Sequence, residues 1–386
     1  RAFIYCIRNA PLMGWVQPRE NSVAGICEAI NRFDGVEFDL RLTADGGVVI
    51  HHDREVEASA EVVAGLPSKY VERNTLDDLM ELGFEDFDDL MSRSDFIERL
   101  VEQACVACIE LKVPHPSSGK GGGWFWSSAR FMSQLLAKVD SRLEEHGIPI
   151  ANTVYYSFHR RMWKVARLAN SSRHVATLRP IVPPYGSINV QRLRSFPQFM
   201  TMPLSRLVRW HRWDRSPMIP CALEYLIPPT SRLTLGLPVG LEGRRLNRLR
   251  RLAKGLPLYV WPGDIELESK LLNAGLTPIT DCADPEIYTL PCGQARWTQP
   301  ATQPLDENWH HKLASSSSDQ HRELVGEARR EIPHWHEMGD GKRRAILSRW
   351  RKRFAWHRDL DSLVADSSDI SMPWEAVRMM GHRGCG

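Results

Sequence analysis

The sequence predicts an α/β fold in which parallel strands alternate with helices and close into a (β/α)8 barrel, followed by a helical extension. Segments with the period of two typical of strands alternate with segments of helical spacing through residues 1–291. Such alternation favours a parallel sheet, which a barrel closes most economically. The chain has 386 residues, enough for one such barrel and an extension.

The chain divides into three predicted parts. Residues 1–291 form the barrel, residues 292–371 a helical extension or linker, and residues 372–386 a last strand. The extension is marked by a serine run at 315–318 and by charged helical segments. The basic, amphipathic segment at 342–366 fits either an anionic membrane surface or a solvated helix packed on the barrel.

Composition excludes several classes of protein. The formal net charge of +3 gives no nucleic-acid signature, and the eight scattered cysteines do not form a disulfide framework. Cys105 and Cys108 are expected to be structural and reduced. No apolar run reaches the ~18 residues of a membrane span, and no secretory segment is visible, which favours a cytoplasmic location. Nothing in the sequence indicates an oligomeric state.

The first elements follow from local patterns. Residues 1–7 form an apolar run of strand type, and residues 9–14 read as a loop. Ser22 can cap a helix that extends to Phe33, with one apolar face. The helix therefore leads directly into the segment that carries the most chemistry.

Residues 35–53 predict a β-hairpin with an unusual charged face. Apolar residues alternate with polar ones through 36–43, so Glu37 and Asp39 point to the same side of the strand. An Asp-Gly turn and an apolar strand at 48–50 lead to His52 and Asp53. Two adjacent carboxylates beside a histidine fit a hydrolytic metal site. A solvated face, with salt bridges to neighbouring arginines, fits the same spacing.

Later elements continue the alternation. A helix opens at Thr75, and a strand at 107–113 carries Glu110 and Lys112 on one face. A glycine-rich loop at 117–123 lacks the spacing of a nucleotide-binding loop and reads as a mobile rim. Further strands are predicted at 152–158, 175–178, 222–227, 258–261 and 277–281, with helices at 96–103, 131–146, 241–254 and 264–274. Residues 180–184 and 210–213 fit neither pattern.

Together these segments resemble the glycerophosphodiester phosphodiesterase family. The resemblance rests on Glu-Phe-Asp at 37–39, the turn at 42–46, the strand at 48–50 and His-Asp at 52–53. It continues through a Pro-Arg-Glu-Asn-Ser helix start at 18–22, Glu-x-Lys at 110–112, Ser-Phe at 157–158, Trp261 and Thr-Asp at 280–281. Trp261 is followed by Pro-Gly, where the family usually has Thr and a polar residue, so the substrate wall differs there.

The resemblance implies a TIM barrel like that of phosphatidylinositol phosphodiesterases, and a phosphoric diester hydrolase of lipid and glycerol metabolism. It implies hydrolysis of a small phosphodiester to glycerol 3-phosphate and an alcohol, with histidines as acid and base. The implied metal ligands are Glu37, Asp39 and Glu110, which suit Mg²⁺ or Ca²⁺. The implied catalytic residues are His52 and His382, and the implied substrate-binding residues are Arg383, Lys112 and Trp261.

The first histidine of the family is displaced. The family begins with an apolar strand ending in His-Arg-Gly, whereas residues 3–9 contain no histidine. The motif stands instead at 382–384, near the C-terminus. The tail can complete this barrel, because first and last strands are neighbours in a closed barrel. It can also begin a truncated second copy, or match by chance.

Two other functions remain open. Without a histidine in the first position, the barrel can be a catalytically impaired module that binds a metal or a phosphodiester. Alternatively, it can act like a phospholipase D on lysophospholipids, with the basic segment at 343–353 making a peripheral membrane contact.

Overall fold

A computed structural model describes residues 15–56, 59–120, 128–182 and 186–386. Its main feature is a barrel of eight parallel strands in the order β6, β5, β4, β1, β10, β9, β8, β7. The two end strands, β6 and β7, lie side by side without forming a ladder, so the barrel is nearly closed. The predicted α/β barrel is confirmed. The strands are β1 (Gly35–Leu42), β2 (Val48–Ile50), β3 (Glu85–Asp86), β4 (Val106–Leu111), β5 (Thr153–Ser157), β6 (His174–Thr177), β7 (Ile219–Ala222), β8 (Leu258–Trp261), β9 (Thr277–Thr280) and β10 (Met380–Gly381).

β1 is the central strand of the site. All eight of its residues are buried, because it lies between β4 and β10 and also forms an antiparallel hairpin with β2. The register places Asp39 directly opposite Glu110 of β4. On the other side, Gly35 pairs with Met380 and Val36 with Gly381. β10 also pairs with β9, so the C-terminal strand occupies the position between β9 and β1.

The helices surround the barrel and continue into the extension. They are α1 (Val23–Arg32), α2 (Ala60–Gly65), α3 (Leu76–Met80), α4 (Phe87–Met91), α5 (Ser94–Val101), α6 (Ala129–Glu145), α7 (Met162–Ala169), α8 (Ile188–Met200), α9 (Leu204–Trp213), α10 (Gly243–Ala253), α11 (Glu268–Ala274), α12 (Glu307–Ser315), α13 (His321–Glu331), α14 (Asp340–Phe354) and α15 (Leu360–Ala365). Ser22 caps α1 as predicted, with its Oγ accepting from the amide of Gly25 at 3.0 Å. No described helix is long and apolar enough to cross a bilayer.

The extension carries the chain from β9 to β10, which pairs with the start of β1. Asp34 is completely buried and accepts hydrogen bonds from the amides of Ala301, Thr302 and Met379. It therefore fastens the extension and the approach to β10 to the beginning of β1. Helix α14 buries four apolar side chains, those of Ile346, Leu347, Trp350 and Phe354. They belong to one hydrophobic cluster with residues that precede β10. The apolar face of this basic helix thus packs on the protein.

Some local predictions differ from the structure. The predicted strand at 222–227 is wrong: β7 ends at Ala222, and a 3₁₀ turn follows at Leu223–Tyr225. Pro220 argues against a strand in the sequence, but β7 lies at the seam of the barrel, where a missing ladder donor is tolerated. Helices α8 and α9 occupy the stretch that had no predicted elements. The predicted strand at 1–7, the loop at 9–14, part of the glycine-rich loop and residues 183–184 lie outside the described residues.

Candidate functional site

Three buried carboxylates meet at one end of the barrel. Glu37 and Asp39 lie on the same face of β1, and Glu110 lies opposite Asp39 on β4. One oxygen of each carboxylate lies within 4.8 Å of the other two. The period of two along a strand and the parallel register of β1 and β4 produce this cluster. The structure therefore brings together the three residues that the sequence suggested as metal ligands.

Lys112 partly neutralises the cluster. The residue follows β4, and its Nζ lies 2.8 Å from Oδ1 of Asp39 and 2.8 Å from Oε1 of Glu110. Its side chain is only 8% exposed, so this ammonium is held inside the site. One ammonium carries a single positive charge, so Lys112 offsets only part of the charge of the three carboxylates.

The C-terminal residues complete the site. His382 follows β10, and its Nε2 lies 3.6 Å from Oε2 of Glu37. The amide of Arg383 donates to the same oxygen of Glu37 at 3.0 Å. The Arg383 guanidinium lies 3.5 Å from Oδ2 of Asp39, and it also donates to Glu20 at 3.1 Å. The His-Arg-Gly segment thus contacts residues almost 350 positions earlier in the chain.

Two residues fix the ring of His382 from the side away from Glu37. Nδ1 of His382 lies 2.5 Å from Oδ1 of Asp281, which directly follows β9. The indole Nε1 of Trp261, the last residue of β8, lies 3.1 Å from the same nitrogen. With the Nδ1 proton donated to Asp281, the indole N–H of Trp261 is directed to the Asp281 carboxylate, to which it also hydrogen-bonds. Nε2 is then the unprotonated nitrogen, and it faces the carboxylate cluster.

His52 follows the short strand β2. Its Nδ1 lies 2.7 Å from Oδ1 of Asp53, and its carbonyl oxygen accepts from the buried guanidinium of Arg41 at 2.8 Å. Burial and the nearby Lys112 ammonium lower the pKa of His52 to about 4. The neighbouring His51 instead packs its ring against Phe84, at 4.4 Å between ring centroids. The two adjacent histidines therefore have different surroundings.

The carboxylates titrate differently because their neighbours differ. Burial and the charge of Asp39 raise the pKa of Glu37 to about 7. Burial also favours the neutral form of Asp39, but Lys112, His52 and Arg383 outweigh it and lower the pKa of Asp39. Burial raises the pKa of Glu110, with Lys112 opposing. The surroundings of Glu37 therefore disfavour its negative charge, so a cation bound beside it would compete with a proton.

Sequence reasoning missed two residues of the site. Asn21 donates from Nδ2 to Oδ2 of Asp39 at 2.9 Å and accepts from the Asp39 amide at 3.0 Å. Asn21 stood in the Pro-Arg-Glu-Asn-Ser segment, which was interpreted only as a helix start. Asp281 stood in the Thr-Asp pair, which was used only to recognise a strand. In both cases the signal was present, but the contact depends on the tertiary fold.

Comparison with known proteins agrees with this geometry. Residues 8–173 match the model of the Glycerophosphoryl diester phosphodiesterase family. The match covers Glu37, Asp39, His52, Glu110 and Lys112. Over this part of the chain it confirms the predicted resemblance to that family. No curated protein is significantly similar to the chain.

Several solved structures are distantly similar. A glycerophosphodiester phosphodiesterase from Thermotoga maritima is 16% identical, with a TM-score of 0.39, over 67% of this chain and 86% of that one. One from Parabacteroides distasonis is 16% identical, with a TM-score of 0.39, over 66% and 83%. An Oleispira antarctica phosphodiesterase in complex with the product sn-glycerol-3-phosphate is 13% identical, with a TM-score of 0.42, over 67% and 86%.

Proposed function

We propose that this protein hydrolyses glycerophosphodiesters to glycerol 3-phosphate and an alcohol, with a divalent metal ion and two histidines. The observation that carries the proposal is the meeting of three buried carboxylates with His382, which β10 brings from the C-terminus. The family match over residues 8–173 supports the reaction class. Water supplies the hydroxyl that ends on phosphorus and the proton that ends on the leaving alcohol.

The carboxylate cluster fits a hard cation. Glu37, Asp39 and Glu110 offer only oxygen donors, which Mg²⁺ and Ca²⁺ prefer. Oxygens on opposite sides of an ion lie about 4.0–4.2 Å apart for Mg²⁺ and about 4.6–5.2 Å for Ca²⁺. One oxygen of each carboxylate lies within 4.8 Å of the other two, so an ion of either kind could contact all three residues. When bound, such an ion would polarise the phosphate and offset its charge.

Proton transfer is assigned to the two histidines. His382 presents Nε2 to the cluster while Asp281 holds Nδ1, which is the arrangement required of a general base. His52 then serves as the second proton-transfer group, and its pairing with Asp53 fixes its ring in the same way. The pKa of His52 is low when no substrate is bound. The negative charge of a bound phosphodiester would raise the pKa of His52.

Three further side chains are assigned to the substrate. Lys112 and Arg383 carry the positive charges nearest the cluster and can face the phosphate oxygens that the metal leaves free. Trp261 is 40% exposed beside His382, so its indole can form a wall against the glycerol or the alcohol. Substitution of Trp261 is therefore expected to affect both the choice of substrate and the orientation of His382.

Hydrolysis of glycerophosphocholine by the purified chain tests the proposal. Release of glycerol 3-phosphate should require added Mg²⁺ or Ca²⁺, stop with a chelator and be lost in His52→Ala. A chain that binds the metal and the diester without turnover would instead be a binding module. Release of the head group from a lysophospholipid, with none from glycerophosphocholine, would favour the phospholipase D-like reaction. Either result would overturn the proposal.

A further inference from the structure

Helix α8 has an apolar face that is exposed to solvent. Its inner face buries Ser195 and Phe199 against the protein. On the opposite side, Val190, Leu193 and Phe196 follow one another at helical spacing and are 36%, 72% and 41% exposed. A helix on the surface of a soluble protein normally presents polar residues there. The outer face of α8 therefore has the composition of an interaction surface.

A second exposed apolar segment adjoins the end of α8. Leu233, Leu235 and Leu237 are 44%, 74% and 69% exposed and alternate with residues that include the buried Thr234. The amide of Leu235 donates to the carbonyl of Met200, the last residue of α8, at 2.9 Å. We call the combined surface the rim patch. It consists of Val190, Leu193, Phe196, Leu233, Leu235 and Leu237.

The rim patch borders the end of the barrel that carries the site. Gln191 follows Val190 in α8. Its Oε1 lies 3.5 Å from a guanidinium nitrogen of Arg54. Arg54 directly follows the His52-Asp53 pair at the C-terminal end of β2. A surface that engages the patch is thus held close to the entrance of the site.

The stretch of sequence that contains the patch is strongly basic. Residues 186–254 contain 13 arginines and lysines against 3 aspartates and glutamates, a formal charge of +10. The whole chain carries +3, so the remaining residues sum to −7. Arg192 lies within the patch helix, Arg232 precedes Leu233, and Arg206 donates to Thr201 just beyond α8; all three are exposed. This positive charge is complementary to a negatively charged surface.

We propose that the rim patch docks the protein on an anionic lipid surface, with its leucines and Phe196 at the level of the headgroups and its arginines on the lipid phosphates. Apolar side chains flanked by arginines bind such interfaces through buried area and electrostatic attraction together. A second copy of the chain is a poorer occupant, because two copies of this basic surface repel each other. The proposal goes beyond hydrolysis, since docking requires no turnover.

Co-sedimentation with lipid vesicles tests the proposal. The full chain should bind vesicles of phosphatidylcholine with phosphatidylserine, bind phosphatidylcholine alone more weakly, and lose binding as salt is raised. The double variant Leu193→Asp/Leu235→Asp should lower the partition coefficient at least about tenfold. The variant Arg192→Glu/Arg232→Glu should lower it at least about tenfold on the anionic vesicles.

Leu168→Asp provides the matched control. Leu168 is 53% exposed on α7 and is not part of the rim patch, so its substitution should leave vesicle binding unchanged. Circular dichroism and thermal unfolding verify that each variant is folded. Failure of the wild-type chain to bind, an equal loss in Leu168→Asp, or dimers that the double leucine variant abolishes would each overturn the proposal. Vesicle binding is measured without substrate, so its failure is distinct from a failure of hydrolysis.

Discussion

The carboxylate of Asp281 holds the imidazole of His382, with 2.5 Å between Oδ1 and Nδ1, although 101 positions separate the two residues. Burial alone would raise the pKa of Asp281, but its hydrogen bond with His382 lowers it, so the charged form is favoured. The pair joins the end of β9 to the end of β10. It makes Asp281 a positioning residue for the proposed base.

We expect His382→Gln to lower kcat by about 10²–10⁴-fold, the usual contribution of a general acid or base. Asp281→Asn should lower kcat by about 10–100-fold, because the ring loses the partner that fixes its orientation. KM for glycerophosphocholine should change less than kcat in both. Steady-state kinetics measure the effects, and a larger loss in Asp281→Asn than in His382→Gln would contradict these roles.

Metal binding should depend on the carboxylate cluster. Glu37→Gln and Glu110→Gln each remove one charged oxygen donor, so calorimetric titration with Ca²⁺ or Mg²⁺ should show at least about tenfold weaker binding. The exposed Glu145 on α6 gives a control, since Glu145→Gln should leave the affinity unchanged. Unaltered affinity in both cluster variants would place the ion elsewhere.

Removal of the Asp34 carboxylate should loosen the C-terminal strand. Asp34→Ala leaves the buried amides of Ala301, Thr302 and Met379 without their acceptor. We expect the free energy of unfolding to fall by about 2–4 kcal/mol. Hydrogen exchange should also increase at residues 377–384, because this segment carries β10. Urea unfolding and exchange mass spectrometry provide the readings, and protection of β10 equal to wild type would contradict the anchoring role.

His211 should make the protein sensitive to acid. The residue is completely buried on α9, and neither ring nitrogen hydrogen-bonds to any residue that the structure describes. Burial, with Arg179 nearby, lowers the pKa of His211 from 6.5 to about 3. Between pH 6.5 and about 3, the unfolded chain binds more protons at His211 than the folded chain does. The contribution of this residue to the free energy of unfolding is therefore constant above pH 6.5 and falls as the pH decreases below it.

At pH ~5 the loss from His211 amounts to about 2 kcal/mol relative to pH ~7. His211→Leu places an apolar side chain at this buried position and removes the titrating group. Its free energy of unfolding should therefore decrease by about 2 kcal/mol less than that of the wild-type chain over this interval. Urea titrations at both pH values give the comparison, and equal decreases would show that His211 does not titrate on unfolding.

Local patterns predicted most of the barrel because strand and helix periods depend on neighbours in sequence. The alternation around Phe38 and Leu40 gave β1, and Ser22 gave the start of α1. The same reasoning missed β7, where Pro220 argues against a strand and the strand lies at the seam. It also left α8 and α9 unassigned.

The sequence by itself identified the candidate groups for the proposed chemistry: paired carboxylates on β1, an acid on β4 with a lysine just after it, and histidines after two strands. Only the tertiary structure decided that His382 lies beside Glu37, that Asp281 holds its ring, and that Asn21 braces Asp39. The physical reason is that side-chain period and turn chemistry act over a few residues. The order of strands in a barrel is set by closure of the sheet, which brings together residues hundreds of positions apart.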